Sequence, residues 1–432
     1  MNNPTGVLQR SSGAGSGDVV FVARQPIYNR SNEVFAYELL YTNDVFQNTL
    51  SRVDRATADR FFNTFLEVGL EPLVGDNLAF ININRLFIEY DYCKALPKER
   101  VVLELTPDVQ PTESTLASLK ALTEAGYTVA LDDFEFAEEK RPLLDVASYI
   151  GIDFERLTKD EISRQLPALK ASKAKLVAKR VNTHEVFEIA KGLSFEFFRG
   201  TCFSRPKVAL PTRVPINRLS TLQLVLKLQE PELSTPELEK IVSQDVAISY
   251  KLLQYVNSAA LSLTRTIESI RHAIQMVGTE RIRVWASLLL LTKLDDKPAE
   301  LMITALVRAK MAERLALAMS VVQPESYYMV GLFSVVDALL NVPMQEAIQL
   351  LPFSKQVREA LVSLEGPMGD VLACVLAYES GTWKEVRCGN LDAATIRQCY
   401  LDAIAASRKL PKVTAQDRYD LRKTHPISRR PS

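Results

Sequence analysis

Seven short runs rich in β-branched and aromatic residues punctuate the first half of this chain: Val34–Leu40, Asn77–Ile83, Val101–Leu105, Thr128–Leu131, Tyr149–Ile152, Lys175–Val181 and Phe195–Phe198. Polar, amphipathic stretches of helix length lie between most of them, at Ala56–Val68, Glu113–Ala125, Glu138–Val146 and Asn182–Leu193. Repeated strand–helix alternation builds a parallel sheet with its helices outside. So many strands in so short a span predict a compact TIM-like (β/α) barrel over residues 18–206.

Pro206, Pro211 and Pro215 then fall close together. Proline fixes φ and lacks a donor, so 207–215 reads as a linker. Beyond it the pattern changes to Leu, Ala, Glu and Lys at helical spacing, which predicts an all-helical domain over 216–406. Thr235-Pro236-Glu237 reads as a helix start with Thr235 as N-cap. Further helices are expected at Ile267–Val277, Ile282–Lys293, Ala299–Met319, Tyr328–Leu340, Met344–Leu351, Lys355–Leu364, Gly369–Tyr378 and Ala393–Ala406. Residues 1–17 and 407–432 contain little to bury and read as flexible tails, the second mildly basic.

Composition narrows the function classes. The 52 Lys+Arg balance 52 Asp+Glu, so the chain lacks the basic field that bulk nucleic-acid binding needs. Five widely spaced cysteines, without a Cys-x-x-Cys pair, argue against a disulfide framework or zinc ribbon and for a reducing cytoplasm. Only three histidines weigh against a His-rich metal site. No apolar run of about 18 residues suggests a membrane span, and no signal peptide is expected.

In a parallel barrel the chemistry gathers where strands end. Glu38, Asn82, Glu104, Asp132 and Asp133 fall at four such ends. An oxygen-only set of this kind suits Mg²⁺, Mn²⁺ or Ca²⁺.

The same residues carry a resemblance. Arg24-Gln25-Pro26-Ile27-Tyr28 with Tyr37-Glu38-Leu39-Leu40 is similar to the opening of an EAL domain, a family that hydrolyses the bacterial second messenger cyclic di-GMP. Ile81-Asn82-Ile83-Asn84, Glu104-Leu105-Thr106-Pro107, Leu131-Asp132-Asp133-Phe134 and Gly200 through Pro206 resemble its later motifs, in the family's order.

The departures from that pattern point away from catalysis. Thr42 stands where the family has a nucleotide-contacting arginine, Pro107 replaces a glutamate, and Glu135 replaces a glycine. The family's Lys-x-Asp falls near Arg156-Leu157-Thr158, its Glu-Gly-Val-Glu falls on Lys179-Arg180-Val181-Asn182, and its late glutamine becomes Arg199. Glu38, Asn82, Glu104 and Asp132 can still hold one cation, whereas Lys179 repels a second. Arg156 is a poor substitute for lysine, because guanidinium does not release its proton. The expectation is therefore a barrel without phosphodiesterase activity, with a vestigial metal site, no required cofactor and at most residual Mg²⁺.

The helical half resembles an HDOD domain through Asp245–Leu253, Val256-Asn257-Ser258-Ala259 and Ser269–Gly278. HDOD domains resemble HD phosphohydrolases that lack the metal-binding histidines. Here Ser334 and Val335 stand at the His-Asp position, Thr304 near the upstream ligand, and His272 reads as a packed core residue. The run Gly331–Leu340 and the two-domain order resemble the subgroup that joins an EAL barrel to an HDOD domain, often described as modified HD-GYP signalling proteins. That resemblance implies a non-catalytic signalling adaptor with other signalling proteins as partners. It further implies weak or absent cyclic di-GMP binding, homodimerisation, and outputs such as motility or biofilm formation. Two alternatives stay open: a weak cyclic di-GMP phosphodiesterase, and a cyclic di-GMP receptor lined by Arg156, Lys179, Arg180 and Arg199. The plainer reading of those four cations is a solvated or salt-bridged rim, including pairs with the surviving acids.

Overall fold

The computed structural model describes residues 20–41, 68–206, 216–230, 232–257, 267, 269–291 and 298–408. The tail 1–17, the second tail beyond Arg408, the Ala56–Val68 helix apart from Val68, the linker 207–215, Thr42, Ser258 and Ala259 lie outside those ranges, as do the last residues expected of the Ile282–Lys293 helix; Ser407 and Arg408, expected in the second tail, are helical, and Ser407 is buried.

Eight strands close into one barrel in chain order: β1 (Val22–Asn29), β2 (Val34–Tyr41), β3 (Leu78–Ile83), β4 (Val101–Leu105), β5 (Thr128–Leu131), β6 (Tyr149–Asp153), β7 (Lys175–Lys179) and β8 (Phe197–Arg199). The sheet is not wholly parallel. The strand β1, absent from the seven expected runs, pairs antiparallel with both β2 and β8, whereas β2 through β8 are parallel. The cause is local. Asn29 and Asn32 turn the chain back at once, with Asn32 at φ 62° and the Asn29 Oδ1 accepting from the Ser31 and Glu33 amides. A hairpin so tight leaves no room for the crossover that a parallel pair requires.

Outside the barrel lie α1 (Glu71–Val74), α2 (Arg85–Glu89), α3 (Glu113–Glu124), α4 (Arg141–Leu144), α5 (Lys159–Ala171) and α6 (His184–Gly192). The helix expected at Glu138–Val146 is a 3₁₀ turn followed by the single-turn α4, which has proline in its first turn. Ile27, Ala36, Phe80, Val102, Ala130, Val177 and Phe197 plug the barrel's interior, one from each strand except β6.

The helical half comprises α7 (Ile216–Leu228), α8 (Thr235–Ser243), α9 (Val246–Val256), α10 (Ile270–Val277), α11 (Thr279–Leu291), α12 (Ala299–Ala318), α13 (Pro324–Phe333), α14 (Val336–Leu340), α15 (Met344–Ala347), α16 (Lys355–Ser363), α17 (Gly366–Ser380) and α18 (Ala393–Arg408). The N-cap of α8 is Ser234, not Thr235, because Glu237 accepts from both the Ser234 amide and hydroxyl. The single helix expected over Tyr328–Leu340 breaks at Ser334–Val335, where the Ser334 hydroxyl bonds back to the Gly331 carbonyl. The Lys355–Ser380 stretch is long and apolar enough by composition to cross a membrane. It is split by Leu364 at φ 58°, and Val371, Leu372, Cys374, Val375 and Tyr378 are buried in protein core.

Barrel and helices share one core. Met311, Leu315, Val375, Tyr378, Tyr400 and Ile404 belong to the same apolar cluster as the barrel's outward-facing side chains. Phe21 stacks on Trp383, whose indole N–H donates to the Tyr41 carbonyl at 3.0 Å. The helical layer therefore leans on β1 and β2, the strands that open the barrel.

Candidate active site

Side chains along a strand alternate faces, so a residue two positions beyond an inward-facing one also faces inward. Counting two from each plug residue gives Gln25, Glu38, Asn82, Glu104, Asp132, Lys179 and Arg199, with Gly151 two beyond Tyr149 on β6. The barrel thus carries one polar layer directly above its apolar plug, built from all eight strand positions.

The acidic side of this layer comes from β2 to β5. Glu38 is almost wholly buried, and its Oε1 accepts from the Asn82 amide at 3.1 Å. Asn82 and Glu104 sit directly opposite in the β3–β4 register. The Asp132 amide donates to the Leu105 carbonyl at 2.9 Å, which fixes the strand end, and Asp133 follows at φ 40°. Asn82 Oδ1 and Glu104 Oε2 are buried acceptors without a partner. Burial pushes the Glu104 carboxyl up, with Lys179 working against it; burial, then Asp153, push Asp133 up, with Arg180 and Arg156 opposing.

Two cations, Lys179 buried and Arg199 largely so, face these acids. Lys179 on β7 contacts Asp132 and lies 2.6 Å from Asp133. Arg199 on β8 pairs with Glu38 Oε2, and its Nε donates to Gln25 Oε1 at 2.9 Å. Arg180, at φ 56°, reaches Asp153 at 2.7 Å. A salt-bridged rim is what the four cations form: Arg156 also has an acid, Glu135 at 3.0 Å, though that pair lies out at the surface.

Among the described residues no three His, Cys, Asp or Glu side chains converge as a metal-holding group. The unpartnered oxygens of Asn82 and Glu104, beside Glu38, are the donor atoms left over, and they fit one hard cation. The Asp132–Asp133 edge does not fit a second, because an ammonium already lies there.

Several expected positions stand elsewhere. Pro107 is exposed in a turn. Thr158 is the N-cap of α5, its hydroxyl accepting from the Glu161 amide, so it has no place in the site. The strand end is Gly151-Ile152-Asp153, which the Lys-x-Asp pattern fits better, with glycine in lysine's place. Asn182 lies outside the polar layer, bonded to Glu155 and Thr201. Sequence reasoning assigned no role to Gln25, Gly151 and Asp153; the spacing of two from inward apolar residues was the signal that reaches the first two.

In the helical half, Ser334 accepts from Arg308 at 3.1 Å, and Arg308 forms two bonds of 2.7 and 2.8 Å to Glu379. Val335 is core, and Thr304 lies on α12. His272 is half-buried in the first turn of α10 rather than packed in the core. A part-buried ion pair and a hydroxyl thus fill the place of the HD pattern.

The comparisons follow these divisions. The HDOD domain family matches residues 216–365. The protein named cyclic di-GMP phosphodiesterase CdgJ of Vibrio cholerae is 30% identical over 394 residues, 89% of this chain and 91% of that protein. Bacillus subtilis YuxH is 32% identical over 398 residues, 89% of this chain and 97% of that protein. Among solved structures, Bacillus subtilis YkuI, with an EAL domain and in complex with substrate cyclic di-GMP and calcium, is 16% identical with a TM-score of 0.37, covering 61% of this chain and 71% of that one. The phosphodiesterase name on a relative alike along nearly its whole length overturns the expectation of a non-enzyme. The lost carboxylates at Lys179 and Asn182 are not grounds for discarding catalysis. With its closed barrel followed by the HDOD helices, the chain belongs to the EAL–HDOD family of cyclic di-GMP signalling proteins.

Proposed function

We propose that the barrel is a weak cyclic di-GMP phosphodiesterase. The observation that carries this is the pair of unpartnered buried acceptors, Asn82 Oδ1 and Glu104 Oε2, beside Glu38 at the mouth of the polar layer. Buried acceptors cost folding free energy when left unpaired, and a bound cation satisfies them. When bound there, a divalent ion supplies Lewis acidity and a more acidic water. Asn82 holds Glu38 in place through its amide, while Arg199 holds the other Glu38 oxygen and is itself oriented by Gln25. Lys179 keeps positive charge at the Asp132–Asp133 edge, facing the developing charge of a phosphodiester. A binding-only receptor has less support, since the rim cations already hold acids.

The helical half supplies the surface for other signalling proteins in this reading. The five free, buried cysteines accord with a reducing, cytoplasmic setting.

The test is chromatographic. Purified full-length protein is incubated with cyclic di-GMP and Mn²⁺ or Mg²⁺, and the linear dinucleotide is quantified. Product that falls at least tenfold in Glu104→Gln supports the proposal. Absence of product from the wild-type protein with either ion sinks it.

A further inference from the structure

The Asp132–Asp133 edge is neutralised from two strands away. Lys179 rises from β7, yet its ammonium meets acids at the end of β5. To do so its stem crosses β6, and the β6 position in the polar layer is Gly151. A Cβ on Gly151 would lie 2.9 Å from Lys179 Cδ and 3.3 Å from the Leu131 carbonyl oxygen. A side chain at position 151 would therefore force the Lys179 stem off this path. The residue next to Lys179 and one of its two partners, Arg180 and Asp133, both hold left-handed backbone at φ 56° and 40°. Such conformations persist where the surroundings over-determine them, and they gather at functional sites. Glu104, 4% exposed and with Oε2 unpartnered, acts electrostatically on the same ammonium.

We propose that Gly151 and Lys179 are a matched pair: the β7 ammonium, passing through the notch in β6, occupies the seat of one divalent ion at Asp132 and Asp133, leaving a mixed site for a phosphodiester, one ammonium beside one divalent cation at Glu38, Asn82 and Glu104. The substrate class rests on the phosphodiesterase reading above; the seat itself does not. A fixed ammonium supplies charge but no bound water, so an activated water in such a site would come only with a divalent ion held by Glu38, Asn82 and Glu104. Proximity of two cations also weakens the affinity for that ion.

Counting bound Mn²⁺ tests this without turnover. Full-length protein is titrated while the free-ion electron paramagnetic resonance signal is followed, and each variant is first melted without metal to verify its fold. The wild-type protein is expected to bind one Mn²⁺. Lys179→Glu, which replaces the ammonium by a carboxylate, is expected to bind two, and so is Gly151→Ala, which pushes the stem off its path. Two ions or none on the wild-type protein overturn the proposal, and so does a count of one for every variant that folds. Should the wild-type protein bind one ion and yield no linear dinucleotide, the phosphodiesterase reading falls and the cation seat stands.

Discussion

The Tyr37 hydroxyl on β2 donates a 2.9 Å hydrogen bond to the Glu300 carboxylate at the start of α12. Its neighbour Glu38 points the other way, into the polar layer, so one strand carries a site acid on one face and an anchor to the helical half on the other. Arg24 on β1 repeats the arrangement. Its guanidinium lies 4.4 Å from the Tyr37 ring centroid and its backbone amide donates to the Tyr400 hydroxyl at 3.1 Å, while adjacent Gln25 holds Arg199. Because Glu300 is buried, Tyr37→Phe leaves one of its oxygens short of a donor. The expected cost is about 1–3 kcal/mol. Equilibrium urea denaturation measures it, and an unchanged midpoint would refute the anchor.

Lys179 sets a pH dependence of stability. Burial drives its ammonium down to about 8 from an ordinary 10.5, with Glu104 pulling the other way. Between these values the unfolded chain holds the proton and the folded chain releases it. Stability from this group therefore rises as pH increases from about 8 to 10.5, by at most about 3 kcal/mol. Below pH 8 the buried charge is a constant burden on the fold. Lys179→Met removes this contribution, so the difference between wild-type and variant stability should change across that window. A difference that stays flat from pH 7 to 10.5 would contradict the assignment.

Much of the site was legible because strand ends advertise themselves. Glu38, Asn82, Glu104 and Asp132 each close a short apolar run, and the barrel brings all four into one layer. The antiparallel β1 was not legible as a strand, since Pro26 interrupts its apolar pattern and the hairpin that reverses it depends on Asn32 adopting positive φ. The departures were visible as residues but not as contacts. Lys179 read as a charge repelling a second metal, or as one of four rim cations pairing with the surviving acids; only the notch at Gly151, a distance between strands, shows which acids it meets. Arg199 likewise read as a missing glutamine, whereas its value lies in holding Glu38 and Gln25 together. Spacing along a chain conveys which face a residue takes, not how far a flexible side chain travels across neighbouring strands.

Gly331 shows a sequence motif acquiring a physical cause. The Gly331-Leu332 pair read as part of the HD-like pattern. In the structure a Cβ at Gly331 would come within 2.6 Å of both the Ala309 Cα and the Arg308 carbonyl oxygen, so α12 and α13 touch backbone to backbone there. Neither atom belongs to a flexible side chain that can move aside. Gly331→Ala must separate the two helices and disturb the Arg308–Ser334 contact beside them. The expected loss is about 1–3 kcal/mol or more, seen as a lower melting temperature of the full-length protein. A melting temperature equal to or above the wild-type value would show that the close approach is not required.

Arg199 and Glu38 form the pair whose removal separates stability from site chemistry. Glu38 is buried and Arg199 largely so, and taking away one partner strands the other's charge, which costs about 3–5 kcal/mol in fully buried pairs. Arg199→Met should therefore destabilise the protein strongly, leaving Glu38 with only the Asn82 amide. Replacing both residues, as Arg199→Met with Glu38→Met, removes the uncompensated charge and should recover a large part of that loss. A double-mutant cycle by chemical denaturation gives the coupling directly. Additive losses would mean that the two charges do not sense each other, against their contact. Coupling of several kcal/mol would identify Arg199 as the residue that holds Glu38 in position opposite the Asn82 amide.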